Sequence, residues 1–531
     1  MRGPQWVADV VDLYAGDDRP AHIYRRDDVT SVTTTRGELR DAVSRRAGAL
    51  AELGVRAGHR VGVFAGDPEA FLPAFLALLW LGAVAVPLPP PPPVGRRDAW
   101  RATVQDALAL VHPRLVCGPA DTLDAFGTGP AEVVALDGRP VAAVPVAALA
   151  DGPAHAAPVR LPPQAPAYTQ FTSGSTGRSR AVLVTRGSLA ANSAAIKAGI
   201  SLDPDRDVGV CWLPLHHDMG LVGFGCAALT AGVPVVYLPT ASFLRDPGSW
   251  MRTVSAYRGT VTFGPSFAFG LAARRARPDD VAALDLSALR ILGCGAEPIN
   301  AATLQRFVAA YAPANLDAAA LTPCYGLAEA TLAVSFAAGL RADAAGTVDC
   351  GRPVPGHEVA VVDAAGSSCP AGQVGEIWVR GPSVAAGYLD QPAPETFRSD
   401  GWLRTGDLGY LDGGGLYVTG RAKDLLVVRG ANTDPQRVEW AASTVPGVRD
   451  GGAVAFTRPG EETEEVVVVV ECAPNAADAV PDAVRAAVAE GLGLAVAEVV
   501  RVRPGAVPKT TSGKPRRRET RRRYLAGELV G

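Results

Sequence analysis

Tyr168-Thr-Gln-Phe-Thr172-Ser173-Gly174-Ser175-Thr176-Gly177-Arg178 is the stretch from which the fold can be approached. Its aromatic and apolar start predicts a strand, and the glycines and small hydroxyl residues predict a loop directly after it. Such a loop can present backbone N–H groups and several hydroxyls to a polyphosphate. The Walker pattern GxxxxGK[ST] is absent, so this is not that phosphate loop. Taken alone, a Ser/Gly/Thr cluster is equally a flexible surface loop.

On the N-terminal side the chain alternates helix and strand. Thr35-Arg-Gly-Glu38 is a capping-box pattern that opens a helix carrying Leu39, Val43, Leu50 and Leu53 and closed by Gly54. Arg60–Phe64 predicts a buried strand, residues 68–81 a helix and Ala83–Leu88 the next strand. This alternation implies an α/β architecture with a largely parallel sheet. Pro89–Pro93 predicts a polyproline-II connector, with an SH3-type ligand as the other option. Residues 150–166 predict a loop, and further alternation is expected to about residue 420. Beyond it, Val466–Val470 predicts a strand, Asp482–Leu492 a helix, and the end is basic. No repeat of 20–50 residues is evident.

At 531 residues the chain exceeds what one hydrophobic core supports, so at least two domains are expected. With 48% hydrophobic and 20% charged residues it is globular, not disordered. A net charge of −3 gives no field that would draw in nucleic acid or an anionic membrane. The eight cysteines form no CxxC and no zinc spacing, which argues against a disulfide or zinc scaffold and for a cytoplasmic location. The N-terminus lacks the apolar core of a signal peptide. Ala70–Pro93 and Met219–Leu244 are uncharged and long enough to suggest membrane spans. Proline and glycine interrupt both, so each predicts a buried helix, a turn and a buried strand, with no integral membrane segment.

Further motifs follow the loop in order. They are Trp212-Leu-Pro-Leu-His216-His217-Asp218-Met-Gly220, Gly293-Cys-Gly295-Ala296-Glu297-Pro298 and Thr322-Pro-Cys-Tyr325-Gly326-Leu-Ala-Glu329-Ala-Thr331. Then come Gly375-Glu-Ile-Trp-Val-Arg-Gly381, Trp402-Leu-Arg-Thr405-Gly406-Asp407, Gly420-Arg421-Ala-Lys423-Asp424 and Pro508-Lys509-Thr-Thr-Ser-Gly513-Lys514. The ordered series spans nearly the whole chain and resembles the adenylate-forming superfamily. Leu213–Leu221, Gly295–Ile299, Tyr325–Leu332 and Asp424–Gly430 look most like the fatty acyl-AMP ligases among them. The resemblance implies a large multi-sheet N-terminal domain over residues 1–420, a hinge at 421–424 and a small mobile α+β lid domain over 425–531.

It also implies a reaction, carboxylate + ATP → acyl-AMP + pyrophosphate, followed by acyl transfer to a thiol. In-line attack on the α-phosphorus needs mainly positioning and charge neutralisation. By the resemblance, Thr172, Ser173, Gly174, Ser175, Thr176 and Gly177 form the phosphate loop. Glu329, with Thr172, is the magnesium-associated group; outside the motif, a glutamate at a helix start would simply favour the dipole. Gly295, Ala296, Glu297, Tyr325 and Gly326 form the nucleotide-base wall. Asp407 takes the ribose hydroxyls, with Arg421 as its partner; the alternative for Asp407 is an Asx-turn. Lys514 bridges carboxylate and α-phosphate oxygens, and Lys423 is the hinge lysine. His217 counts with the catalytic group as a positioning residue rather than a base, and Asp218 borders the acyl carboxylate. Phe263, Phe267 and Phe269 suggest an apolar acid pocket, or equally a core. Arg180 stands where the family usually has lysine and keeps the charge but not its geometry. Lysine is rare here, with Lys197, Lys423, Lys509 and Lys514 against 47 arginines (51 − 4), yet three of the four fall on motifs.

The thiol acceptor is expected to be an acyl carrier protein, with free coenzyme A as the alternative. Only residues 332–349 separate Thr331 from Cys350, so the insertion typical of fatty acyl-AMP ligases looks absent. Conversely, Arg429 replaces a glycine that usually lines the pantetheine tunnel. Arg516–Arg523 holds six arginines and is open to three readings: a solvated helix face, a nucleic-acid patch or a dock for an acidic carrier. A non-catalytic homologue that binds nucleotide or carrier is the alternative of a different class.

Overall fold

The computed structural model describes residues 5–26, 30–92, 97–127, 133–136, 139–173, 179–344, 346–428, 431–460, 464–473, 476–509 and 515–529. The opening helix–strand alternation folds as its local signals direct. Helix Arg36–Glu52 begins at a complete capping box: Glu38 N–H donates to Thr35 Oγ1 at 3.2 Å, and Thr35 N–H to the Glu38 carboxylate at 2.8 Å. Helix Pro68–Leu81 has Pro68 in its first turn, an Asp67 cap and Gly82 at φ +70° beyond its end. From Phe71 to Leu81 every residue is buried, as befits a helix apolar all round. Strand Val84–Leu88 follows at once, which resolves the first apparent membrane span. The second run folds as a π-helix over Met219–Ala228, a turn of α-helix, Gly232 at φ +74° and strand Val235–Tyr237. Among the described residues no helix is long and apolar enough to cross a membrane.

Two large sheets carry the N-terminal part. One orders its strands Val133–Leu136, Arg139–Pro145, Leu115–Gly118, Arg60–Phe64, Val84–Leu88, Pro166–Ser173 and Ser179–Thr185, parallel within and antiparallel at both edges. The other runs Arg352–Pro353, Ala333–Phe336, Leu321–Gly326, Ile291–Cys294, Val261–Gly264, Gly209–Cys211, Val235–Tyr237, Pro20–Arg25 and Ser31–Thr35. Its six strands from Leu321–Gly326 to Pro20–Arg25 are parallel. The α/β architecture is therefore as expected.

Helix–strand alternation does not persist to residue 420. Strands Glu358–Val362, Gly375–Arg380, Trp402–Asp412 and Gly415–Arg421 form an antiparallel sheet of their own. The physical reason is the turn chemistry. Gly413 and Gly414, at φ +55° and +80°, allow the tight left-handed turn that joins the last two strands. Beyond it, strands Val448–Pro459, Glu464–Cys472 and Val496–Val502 form a further sheet. Helices Pro435–Ser443 and Val480–Leu492 pack with that sheet around Val438, Val468, Val484 and Val488. The apolar clusters divide at this point: the large one ends at Leu416, and the next begins at Leu426.

Candidate active site

A cleft of about 2890 Å³ opens at the carboxyl ends of the parallel strands and is walled on its far side by residues beyond 420. Carboxyl ends of such strands are where α/β folds bind ligands. Thr172 lies near the end of strand Pro166–Ser173, Ala296 and Glu297 follow strand Ile291–Cys294, and Tyr325 and Gly326 end strand Leu321–Gly326. All five line the cleft, together with His217, Asp218, Phe263, Glu329, Asp407, Arg421 and Lys423.

Asp407 is buried, with 6% of its surface exposed, and binds two neighbours at once. Tyr325 O–H donates to its Oδ2 at 2.7 Å and Arg421 Nε–H to its Oδ1 at 2.9 Å. Burial, and then the Asp407 charge, push the Tyr325 phenol well above its ordinary value, so it remains a donor. Asp407 in turn raises the pKa of Arg421. Asp407 is thus an ion-pair partner within strand Trp402–Asp412 and not the side chain of an Asx-turn; its backbone N–H donates to Thr405 Oγ1 at 3.0 Å.

The base-wall segment is held from behind. Glu297 Oε1 accepts the Phe267 N–H at 2.7 Å at the start of helix Ser266–Arg275. Ala296 is at φ +67°, a left-handed conformation rare for a residue with a Cβ. Gly295 does not line the cleft. A Cβ there would stand 2.5 Å from Cys324 Sγ, so glycine allows the two strand ends to close up. At Gly326 a Cβ would stand 2.0 Å from the Leu332 carbonyl oxygen.

His217 and His216 both line the cleft, their rings 4.3 Å apart. Burial holds His216 neutral, with its pKa well below the ordinary value. Among the described residues neither of its ring nitrogens has a hydrogen-bond partner. Asp218 Oδ1 accepts the Met219 N–H at 2.8 Å and caps the π-helix. Glu329 lies in a short 3₁₀ turn, Ala328–Ala330, and its Oε1 accepts the Tyr388 hydroxyl at 2.8 Å.

Phe263 lines the cleft, but Phe267 does not. Phe267 points at Trp212 in the core, with ring centroids 6.5 Å apart at 83°, because helix Ser266–Arg275 turns it away. Phe224 and Phe336 stand in its place, each packed edge-on to Phe263 at 6.2 Å. Phe263 lies over its cross-strand neighbour Gly293, where a Cβ would come within 2.0 Å of the ring. Ile196, Ile200, Val233 and Val261 also line the cleft. This arm of the cleft is apolar, and its rings come from three separate elements, so no sequence spacing announces them.

Lys423 lies in the Ala422–Asp424 turn, where burial, and then Arg421, lower its pKa. Gly174, Ser175, Thr176, Gly177, Arg429 and Lys514 lie outside the described residues, as does the Ser173 side chain. The arginine run forms helix Arg517–Leu525 and is not simply a solvated face. Arg517 donates to both Glu439 oxygens, at 2.6 and 2.7 Å, and Arg521 to the Thr457 carbonyl. Arg516 and Arg518 remain exposed at the cleft rim, as does Arg437.

Residues 13–389 match the family described as AMP-binding enzyme. A putative acyl-CoA synthetase of Caulobacter vibrioides is 36% identical, over 92% of this chain and 90% of its own length. A 4-hydroxyphenylalkanoate adenylyltransferase of Mycobacterium tuberculosis is 34% identical, over 92% and 86%. A solved structure from work on fatty acyl-adenylate ligases of E. coli and L. pneumophila superposes with a TM-score of 0.90. It is 33% identical and covers 99% of each chain.

Proposed function

The chain belongs to the AMP-binding enzyme family of adenylate-forming ligases, and on that premise we propose that it activates an apolar carboxylic acid with ATP to give acyl-AMP and pyrophosphate. One observation carries this: a single cleft joins a charged wall, Arg180, Glu329, Asp407 and Arg421, to an apolar arm built on Phe224, Phe263 and Phe336. The acid's tail occupies the arm, and its carboxylate emerges beside His217, Asp218 and Gly326. Asp407 accepts the ribose hydroxyls. Tyr325, Ala296 and Glu297 bound the base. Thr172 and the loop after it, with Arg180, receive the phosphates. Lys514 neutralises charge on the carboxylate and α-phosphate oxygens during attack. Fixing both reactants in line supplies most of the acceleration.

Magnesium fits this wall. A hard cation on a nucleotide needs only one or two protein oxygens beside the phosphates, and no group of three potential ligands occurs among the described residues. Glu329, whose Oε2 has no protein partner among the described residues, and Thr172 are the residues that would hold it. Bound there it would neutralise phosphate charge.

Residues 425–531 are the lid, turning about the hinge at 421–424, with Lys423 at its pivot; the division of the apolar clusters between Leu416 and Leu426 supports this. The acceptor is a carrier-protein thiol. Arg437, Arg516 and Arg518 support it: they rim the cleft with no ion pair among the described residues and suit an acidic partner. The short hairpin after Ala333–Phe336, closed by the Ala342–Val348 bridge, favours free coenzyme A as the second reading. The eight cysteines, all unbridged, agree with a cytoplasmic location.

Mass spectrometry of one mixture tests these assignments: enzyme, Mg-ATP, a panel of apolar acids, and either free coenzyme A or a holo-carrier protein. Acyl-AMP with acyl transfer to the carrier alone is the expected result. Comparable acyl-CoA yield moves the acceptor to coenzyme A. Absence of any adenylate across the panel, with nucleotide still bound, refutes the catalytic assignment.

A further inference from the structure

The segment from Ser383 to Leu389 is fastened on two sides. Toward the strand that leaves the phosphate loop, Leu183 N–H donates to Gly387 O at 2.8 Å, Ala386 N–H to Leu183 O at 3.0 Å and Leu389 N–H to Ala181 O at 2.8 Å. Toward the Glu329 turn, Ala385 N–H donates to Glu329 O at 2.9 Å and Thr331 Oγ1 to Ser383 O at 2.6 Å. Tyr388 projects from the middle of this clasp into the cleft. Its hydroxyl donates to Glu329 Oε1 at 2.8 Å. The Arg180 guanidinium lies over its ring, 4.8 Å from the centroid. Phe397 packs edge-on against the ring at 5.2 Å.

The chemistry of the three groups is complementary. The phenol O–H is the donor and the carboxylate the acceptor, a charge-assisted bond. That bond fixes one oxygen of Glu329 and leaves the other for a ligand. Arg180 pairs with no carboxylate among the described residues, so its charge is available to an anion while the ring holds its orientation.

We propose that Tyr388 is a positioning residue of the adenylation site. Its hydroxyl orients Glu329 for the divalent cation that accompanies the nucleotide, and its ring seats Arg180 against the phosphates. The proposal rests on the functional assignment above. It gives Arg180 a geometry that a lysine at that position would not share.

The test is calorimetric titration of the full chain with ATP, in EDTA and over a range of free Mg²⁺, for the wild type, Tyr388→Phe and Tyr388→Leu. Tyr388→Phe keeps the ring. It is expected to need about tenfold more Mg²⁺ for half-maximal gain in ATP affinity, the usual cost of losing a partner that orients a metal-binding group. Its affinity in EDTA stays at the wild-type level. Tyr388→Leu shows the same shift and also binds ATP about threefold to tenfold more weakly in EDTA, because Arg180 loses its seat. A Tyr388→Phe protein with wild-type melting temperature and wild-type Mg²⁺ dependence overturns the orienting role. Unchanged affinity of Tyr388→Leu in EDTA overturns the Arg180 role. Wild-type protein that takes up no ATP at all strikes the functional assignment itself, and the proposal with it.

Discussion

Asp407→Asn isolates the charge of one carboxylate without changing its shape. Asp407 accepts from Tyr325 at 2.7 Å and from Arg421 at 2.9 Å. An amide offers a single acceptor atom, so one bond is lost and the other becomes neutral. Hydrogen bonds to charged groups contribute about 1.5–3 kcal/mol and neutral ones about 1 kcal/mol. The Arg421 side chain is 49% exposed, so water screens much of its share, whereas the Tyr325 bond is buried. The expected loss of stability is about 2 kcal/mol, seen as a fall in Tm of roughly 2 °C in a chain of this length. Nucleotide affinity suffers separately. A carboxylate accepts from both ribose hydroxyls and an amide from one, so a further charged bond of about 1.5–3 kcal/mol disappears. That corresponds to ATP binding roughly tenfold to a hundredfold weaker. Thermal melting and calorimetric ATP titration of the same preparation read the two effects independently. If Tm falls while ATP affinity stays within about twofold of wild type, Asp407 is a strut between Tyr325 and Arg421, and the ribose assignment is wrong.

Three further outcomes follow from other residues. Lys514→Ala is expected to slow adenylation roughly 10²–10³-fold with ATP binding retained, by analogy with losing one preorganised charge-stabilising donor; a wild-type rate of pyrophosphate release removes Lys514 from the mechanism. Gly326→Ala drives a Cβ to 2.0 Å from the Leu332 carbonyl, whose oxygen also accepts the Leu327 N–H at 2.9 Å, so the backbone must shift. Denaturant unfolding should show a loss of more than about 3 kcal/mol, against a small gain for Gly491→Ala, which lies in helix Val480–Leu492 with nothing within 4 Å. Burial raises the Asp434 carboxyl from 3.8 to about 6. Between those values the folded chain holds a proton that the unfolded chain has released. This carboxyl therefore makes stability decline as pH rises from about 4 to about 6. Melting curves of Asp434→Asn across that window should lack its contribution, and an identical pH profile contradicts the assignment.

Local chemistry made much of the fold legible. The Thr35 capping box, Pro68 at a helix start, and Gly82 and Gly232 at chain reversals each fix their elements within a few residues. The ordered motifs likewise point to residues from distant segments that meet in one cleft, Tyr325 and Asp407 among them. What stayed hidden arises from tertiary geometry. Phe263 and Phe267 are four apart in sequence, yet one ends a strand and the other begins a helix, so they face different neighbours. Phe336 and Tyr388 carried no motif, because each matters only through a residue brought beside it by another strand or turn. The Asp412-Gly-Gly-Gly415 turn is a readable hairpin signal for the antiparallel sheet, at odds with continued helix–strand alternation. From sequence the run Arg516–Arg523 reads as a solvated helix face among other options, but Arg517 and Arg521 are held by Glu439 and Thr457, supplied by elements about 60–80 residues upstream.

The contact between Gly293 and Phe263 couples two positions on neighbouring strands. The ring lies where a methyl group at 293 would have to go, so any larger residue there must push the phenyl sideways between Phe224 and Phe336. Residue 293 therefore governs the bore of the arm without touching what enters it. A smaller residue at 263 is the change that would let 293 grow, so on the proposed function the size of acid admitted can drift through paired replacements while either replacement alone would be disfavoured.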